Sequence, residues 1–301
     1  MDHTKVKNVA RRETNIREQD SNSDSETPFL DYYSEKKIIP VRQDIQDLKH
    51  HFARREGLYR QLGFLPSTFR GNTILEFGPG SGDDAVHTAS YSPAHYLMVD
   101  GNPYSIAAIK EKISTGRLPR DCIECVETEI MRFNTDKKFD VVLAEGIVPG
   151  QKDSSEFLKH LGSFVAPDGV LMTTTHSASS ILAETCRRLF KPVLAQTINN
   201  DSDMLSACLA LVSPHLSSLK GMNRLHEDWI LDTILHPWKK EVAFTIPMAI
   251  RALDQDFDVL GSSPKFFQDW RWYKSIPTHA QNINSIVIQE CDRWGFFFLD
   301  Y

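Results

Sequence analysis

Residues 74–85 read Ile-Leu-Glu-Phe-Gly-Pro-Gly-Ser-Gly-Asp-Asp-Ala. A short apolar run carrying one acid, Glu76, ends in glycines at 78, 80 and 82, and Asp83 and Asp84 follow at once. Glycine at the end of a strand permits positive φ and close approach of a ligand to the backbone. In an open parallel sheet, ligands bind at the carboxyl ends of strands where the strand order reverses. The plain alternative is a tight turn that holds nothing. A dinucleotide-binding turn has the spacing Gly-x-Gly-x-x-Gly and offers a bare helix N-terminus to a pyrophosphate. Here the spacing is Gly-x-Gly-x-Gly, and two carboxylates stand where the pyrophosphate would lie. Glu76 suits a cationic amino group better than an anion. The stretch therefore points to a nucleoside with a positive charge.

Outward from that turn, strand and helix signals alternate. The apolar run 73–77 is a strand, 83–90 a helix, and 96–99 a second strand closed by Asp100. Residues 103–114 place Ile106, Ile109 and Ile113 on one helical face. Further strands are expected at 122–126, 139–144 and 169–175, with a helix at 154–165. A helix at 246–253 and a sixth strand at 257–263 come later, and 285–301 offers a strand, a helix or both. Such alternation implies a parallel sheet covered on both faces. The expected fold is thus a three-layer α/β sheet of about seven mostly parallel strands. N-terminal helices precede it, and a helical insertion follows strand five.

The flanks divide the chain further. Residues 1–27 end in Asp-Ser-Asn-Ser-Asp-Ser-Glu-Thr without apolar periodicity and are expected to form a disordered tail. Residues 28–70 form a helical lid segment in which Ile45, Leu48, Phe52, Leu58, Tyr59 and Leu62 recur at helical steps. The main domain spans 71–301, and its insertion at 176–247 is helical and free of strand signals.

Composition narrows the function. With 301 residues and a formal net charge of −6, nothing in the balance favours a nucleic-acid partner. No apolar stretch reaches the roughly 18 residues that span a bilayer, and the N-terminus lacks the apolar core of a secretory signal. A cytoplasmic protein without a membrane partner is expected. Five cysteines at 122, 125, 186, 208 and 291 show no disulfide framework. Cys122 and Cys125 lie in a strand without a second ligand pair, so ordinary thiols are expected and no metal site.

Glu76, Gly78, Gly80 and Gly82 followed by Asp100-Gly101-Asn102 resemble the class I S-adenosylmethionine-dependent methyltransferases. The resemblance covers residues 73–175, with a weaker continuation at 246–263. It implies a Rossmann-like fold and S-adenosylmethionine as cofactor, with S-adenosylhomocysteine as product. It also implies that the glycine turn approaches the methionine portion, that Glu76 helps orient it, and that Asp100 accepts from the ribose hydroxyls. At the third position an acid meets the adenine amino group. Glu129 matches, with Ile130 beside the ring, and Glu127 is the competing choice. The tip of strand four, Glu145-Gly146, falls beside the reactive region, and Ala-Pro-Asp-Gly at 166–169 resembles the family's entry into strand five. An N-terminal tyrosine, Tyr33, is placed to reach the cofactor carboxylate.

The resemblance stops short of the acceptor. The tip of strand four lacks the (Asp/Asn)-Pro-Pro-(Tyr/Phe) signature of enzymes that methylate amino groups of bases or glutamine. A hydroxyl acceptor needs a general base, for which His176, Glu145 and His226 are candidates by position. A cap or loop histidine, a cofactor ligand, and a helix start favoured by the macrodipole are their respective plain alternatives. Trp270, Trp272 and Tyr273 form either packing or a pocket wall. The expected activity is methyl transfer to a small molecule, as O-methylation of a metabolite or saccharide. C- or N-methylation of a biosynthetic intermediate, a nicotinamide-dependent oxidoreductase and a non-catalytic binding module are the alternatives.

Overall fold

The computed structural model describes residues 28–39, 42–177, 179, 181–236, 243–265, 272–275 and 282–295. The tail at 1–27, Trp270 and residues 296–301 lie outside the described residues.

Five parallel strands, β1 (Thr73–Phe77), β2 (His95–Asp100), β3 (Ile123–Glu127), β4 (Phe139–Ala144) and β5 (Val165–Thr173), pair in the order β3-β2-β1-β4-β5. The order reverses between β1 and β4, which opens a crevice above their carboxyl ends. Ile74, Leu75 and Glu76 pair with Val141, Val142 and Leu143 across that junction.

The period of two along each strand divides the core. Leu75, Phe77, Leu97, Val99, Val142 and Ala144 point to one face, where Phe157, Leu158 and Leu161 of α6 (Ser154–Gly162) cover them. Met248, Ala249 and Leu253 of α11 (Ile246–Leu253) add to the same layer. Ile74, Tyr96, Met98, Val141 and Leu143 point to the other face. There they meet Tyr59 of α2 (Leu48–Leu62), Phe69 of α3 (Pro66–Phe69), Ala85 of α4 (Asp83–Ala89) and Ile109 of α5 (Pro103–Ser114). The three-layer parallel architecture is as expected.

The strand count is not. Five strands form the sheet among the described residues, in place of about seven. Residues 257–263 belong to no strand; the Val259 N–H donates to the Asn284 side chain, so a side chain takes the place of a ladder partner there. Asn284 belongs to α12 (Ile283–Trp294), and the late segment whose identity the pattern left open is a helix over that range. Val287 and Cys291 recur at helical spacing and pack on Ile250 of α11.

A second, smaller core caps the crevice. It combines α1 (Pro28–Lys36) with the insertion helices α7 (Ile181–Arg188), α8 (Phe190–Leu194), α9 (Asp201–Ser218) and α10 (His226–Ile230), the last running on as a π-helical turn at Leu231–Leu235. Met204, Cys208, Val212 and Leu216 of α9 interlock with Ile230, Ile234 and Leu235, and Tyr32 and Tyr33 of α1 pack against this group. The N-terminal segment therefore divides: α1 joins the cap, whereas α2 and α3 join the face of the sheet.

All five cysteines are free thiols. No group of metal-ligating side chains occurs among the described residues, and no described helix is long and apolar enough to cross a membrane.

Candidate active site

The crevice above β1 and β4 is a cavity of about 400 Å³, roofed in part by the cap. The turn after β1 supplies its floor. Gly78, Gly80 and Gly82 all have positive φ, at 64°, 56° and 73°. At Gly78 a Cβ would stand 2.5 Å from Cγ2 of Ile147, so the position is closed to any side chain as well as strained for one. Gly78 and Gly80 line the cavity, and Gly82 is the N-cap of α4.

Asp100 closes β2 and faces the same space. Its carboxylate accepts from the Gly80 N–H at 3.3 Å and the Asn102 N–H at 2.8 Å. Burial raises its pKa to about 6 against the pull of those donors. Hydroxyl donors of a ribose would satisfy its remaining lone pairs. Gly101 packs close to α1: a Cβ there would stand 2.4 Å from a Leu30 methyl, which would have to move aside. Asn102 caps α5 by accepting from the Tyr104 N–H at 3.0 Å, and its amide donates to the Ile38 carbonyl at 3.0 Å. One residue thus ties the β2 tip to the chain leaving α1.

Glu76 is elsewhere. It shares a sheet face with Ile74, so its carboxylate sits under α2 and α4, where it accepts from the Tyr96 hydroxyl. It does not line the cavity, and burial raises its pKa to about 8. The two acids after the glycines are likewise engaged away from the cavity. Asp83 accepts from Ser81 at 2.5 Å and the Gln43 N–H at 3.0 Å, and pairs with Lys112 at 3.0 Å. Asp84 accepts from the Gln43 amide at 3.0 Å and lies 3.6 Å from Arg55. They anchor the N-terminal segment to the turn.

At the third position Ile130 lines the cavity, whereas Glu129 pairs with Arg132 at 3.0 Å and does not. Glu127 ends β3 and is exposed. Across the crevice, Glu145 follows β4 and lines the cavity, with its carboxylate held by both guanidinium nitrogens of Arg55, one of them at 2.8 Å. The Gly146 N–H donates to the Thr174 hydroxyl at 3.0 Å. His176 follows β5, donates its backbone N–H to the Phe244 carbonyl at 2.8 Å, and lines the same cavity.

The roof comes from the cap. The Tyr33 hydroxyl donates to Asp232 Oδ1 at 2.7 Å, and Arg224 donates to Asp232 Oδ2 at 2.9 Å. Tyr32 and Tyr33 both pack on the His236 ring, and burial lowers the His236 pKa to about 4. Tyr33, Asp232 and His236 line the cavity together with Gln151 and Arg188. His226 lines a separate polar cavity behind the glycine turn, with Arg42 and Lys112. Trp272 is 64% exposed with the Lys274 ammonium 5.0 Å from its ring centre, and lines neither cavity.

The structure therefore brings Gly78, Gly80, Asp100, Gly101, Asn102, Ile130, Glu145, His176 and Tyr33 around one space. Arg55 and Asp232 were not read from the sequence. Arg55 had a signal: it is a charged residue on the buried stripe of α2, four residues from both His51 and Tyr59. Asp232 had none, since its position follows from how the cap folds back.

A parallel sheet in this order, with a glycine turn at β1 and a carboxylate at β2, defines an α/β protein that takes a nucleoside-like ligand at its switch point. Residues 49–220, more than half of the chain, match a family described as a methyltransferase domain. The chain belongs to that family, and the class I resemblance of its glycine turn stands. Among solved structures it is similar to PKMT2 from Rickettsia typhi, at 16% identity over 79% of this chain and 49% of that one, with a TM-score of 0.53. It is also similar to the N-methyltransferase NodS from Bradyrhizobium japonicum WM9, solved with S-adenosyl-L-homocysteine. There the identity is 20% over 52% of this chain and 77% of that one, with a TM-score of 0.41. The likeness to PKMT2 is one of fold alone. No curated protein sequence matches the chain.

Proposed function

We propose that the protein transfers a methyl group from S-adenosylmethionine to a small-molecule acceptor, and that the acceptor oxygen belongs to a metabolite or a saccharide. The observation that carries this reading is the single cavity shared by the glycine turn, Asp100 and the cap residues Tyr33, Asp232 and His236. The residues fit the donor. Asp100 is a buried acceptor at the ribose position, and Ile130 offers an apolar edge for the adenine. When bound, the donor supplies an electrophilic methyl on a sulfonium.

The chain's own part is to align, to dehydrate and to accept a proton. Alignment of reacting atoms is worth several kcal/mol, about 7–11 at the upper end. The cap lays α1 and the π-helical turn over part of the crevice and reduces the access of competing water. His176, at the β5 tip on the cavity wall, is the base for a hydroxyl acceptor. Glu145 is less suited to that role, because taking a proton would break its pair with Arg55.

Incubation with methyl-labelled donor and a fractionated metabolite extract tests the reading, with mass spectrometry of the labelled product. An O-methyl product supports it; an N- or C-methyl product replaces the acceptor class while keeping the donor. Calorimetric binding of a nicotinamide cofactor, with none of S-adenosylhomocysteine, overturns it. His176→Ala is expected to lower turnover at least about a hundredfold, the range of general-base contributions, while S-adenosylhomocysteine affinity stays within a few-fold.

A further inference from the structure

We propose that Arg55 is a positioning residue for the methyl donor: it holds the Glu145 carboxylate at the cavity wall as the acceptor for the donor's α-ammonium group. The inference rests on the cofactor reading above and assigns to this chain the residues that recognise the amino-acid end of the ligand.

Arg55 is 8% exposed at the centre of α2. A buried guanidinium is costly unless its donors are taken up; both terminal nitrogens of Arg55 are engaged, while its buried Nε has no partner among the described residues. One terminal nitrogen donates to Glu145 Oε2 at 2.8 Å; the other donates to Glu145 Oε1 and to the Tyr59 hydroxyl at 3.1 Å. The guanidinium carbon lies 5.0 Å from the centre of the Tyr59 ring, and Asp84 Oδ2 lies 3.6 Å from Nη1. Burial alone would weaken its hold on the proton, but the bonds to Glu145 keep Arg55 more firmly charged than usual.

Three carboxylates line the cavity among the described residues: Asp100, Glu145 and Asp232. Asp100 is at the β2 tip, held by the Gly80 and Asn102 amides. Asp232 is in the roof, bonded to Tyr33 and Arg224. Glu145 stands at the β1–β4 junction, two residues before the Ile147 side chain that abuts Gly78. On the cofactor reading, that is where the methionine end of the donor would meet the glycine turn. Glu76 cannot serve there, since its carboxylate is turned under the sheet to Tyr96. A forked arginine–carboxylate pair uses one lone pair on each oxygen and leaves a second on each. Glu145 therefore keeps acceptor capacity for an ammonium.

Calorimetry with two ligands tests this. S-adenosylhomocysteine carries the ammonium; 5′-methylthioadenosine has the same nucleoside and no amino-acid tail. Glu145→Gln and Arg55→Gln are each expected to weaken S-adenosylhomocysteine by about tenfold or more, as for a lost charge-assisted bond, and to change methylthioadenosine less than about twofold. Arg55→Lys should fall between wild type and Arg55→Gln. The double variant should be no worse than the weaker single one, because Arg55 acts through Glu145. Equal losses for both ligands, additive losses in the double variant, or unchanged S-adenosylhomocysteine affinity would overturn the inference alone. Wild-type protein that binds neither ligand overturns the cofactor reading as well. Should Arg55→Gln fail to fold, Glu145→Gln and Arg55→Lys carry the same comparison.

Discussion

Asp100 and Glu76 are both buried acids at the carboxyl half of neighbouring strands and share one sheet face, but Asp100 stands two residues further along, at the crevice, whereas Glu76 pairs in register with Met98 inside the sheet. Asp100 faces the cavity with two amide donors already in place. Asp100→Asn keeps the shape and removes the charge, and is expected to weaken S-adenosylhomocysteine by about tenfold or more, read by calorimetry. Glu76 faces the core and holds a proton up to about pH 8, against an ordinary value of 4.5. Between those values the folded protein binds more protons than the unfolded chain. This contribution to stability is complete below about pH 4.5 and is lost as pH rises to about 8, with a limiting slope of about 1.4 kcal/mol per pH unit. Glu76→Gln should remove that slope, so the variant gains on wild type from pH 5.5 to 8.5 in urea titrations. Parallel profiles would show that Glu76 is ionised in the fold.

At the scale of elements, the glycine turn and α1 are the parts whose geometry is most restrictive. Gly78→Ala meets both a left-handed backbone and the Ile147 methyl. A loss of roughly 1–3 kcal/mol is expected, together with weaker ligand binding, seen by denaturation and calorimetry on the same sample. Helix α1 touches the catalytic half through Leu30 against Gly101 and the cap through Tyr33 to Asp232. Tyr33→Phe removes the second contact alone. It should weaken S-adenosylhomocysteine a few-fold and leave the sheet's stability unchanged, with faster proteolysis of the chain before α2. The cap was legible as a helical insertion, and β1 to β5 as strands, because apolar periodicity and glycine punctuation are local signals. Residues 257–263 carry the same apolar character as a strand, yet Val259 bonds to a side chain of α12. Pairing is not a local property.

For the whole molecule, the cap core and the sheet core are distinct apolar clusters that meet around the cavity. A ligand held by both ends should stabilise both. Saturation with S-adenosylhomocysteine at about a hundred times its dissociation constant adds about 2.7 kcal/mol to the folded state. A single, higher thermal transition is expected, with no shift from a nicotinamide cofactor. Two transitions, of which only one moves, would separate the cap from the site.

The sequence by itself determined the parallel α/β fold, the switch-point turn and the residue types gathered at its tip. Glycine spacing, strand alternation and an acid at a strand end are set by neighbours along the chain. Only the tertiary structure decided which acid faces the cavity. Helices α2 and α4 closed over Glu76, α2 brought Arg55 across to Glu145, and the cap folded Asp232 over the crevice. Each of these depends on where a side chain points after distant segments pack, and no spacing along the chain encodes it.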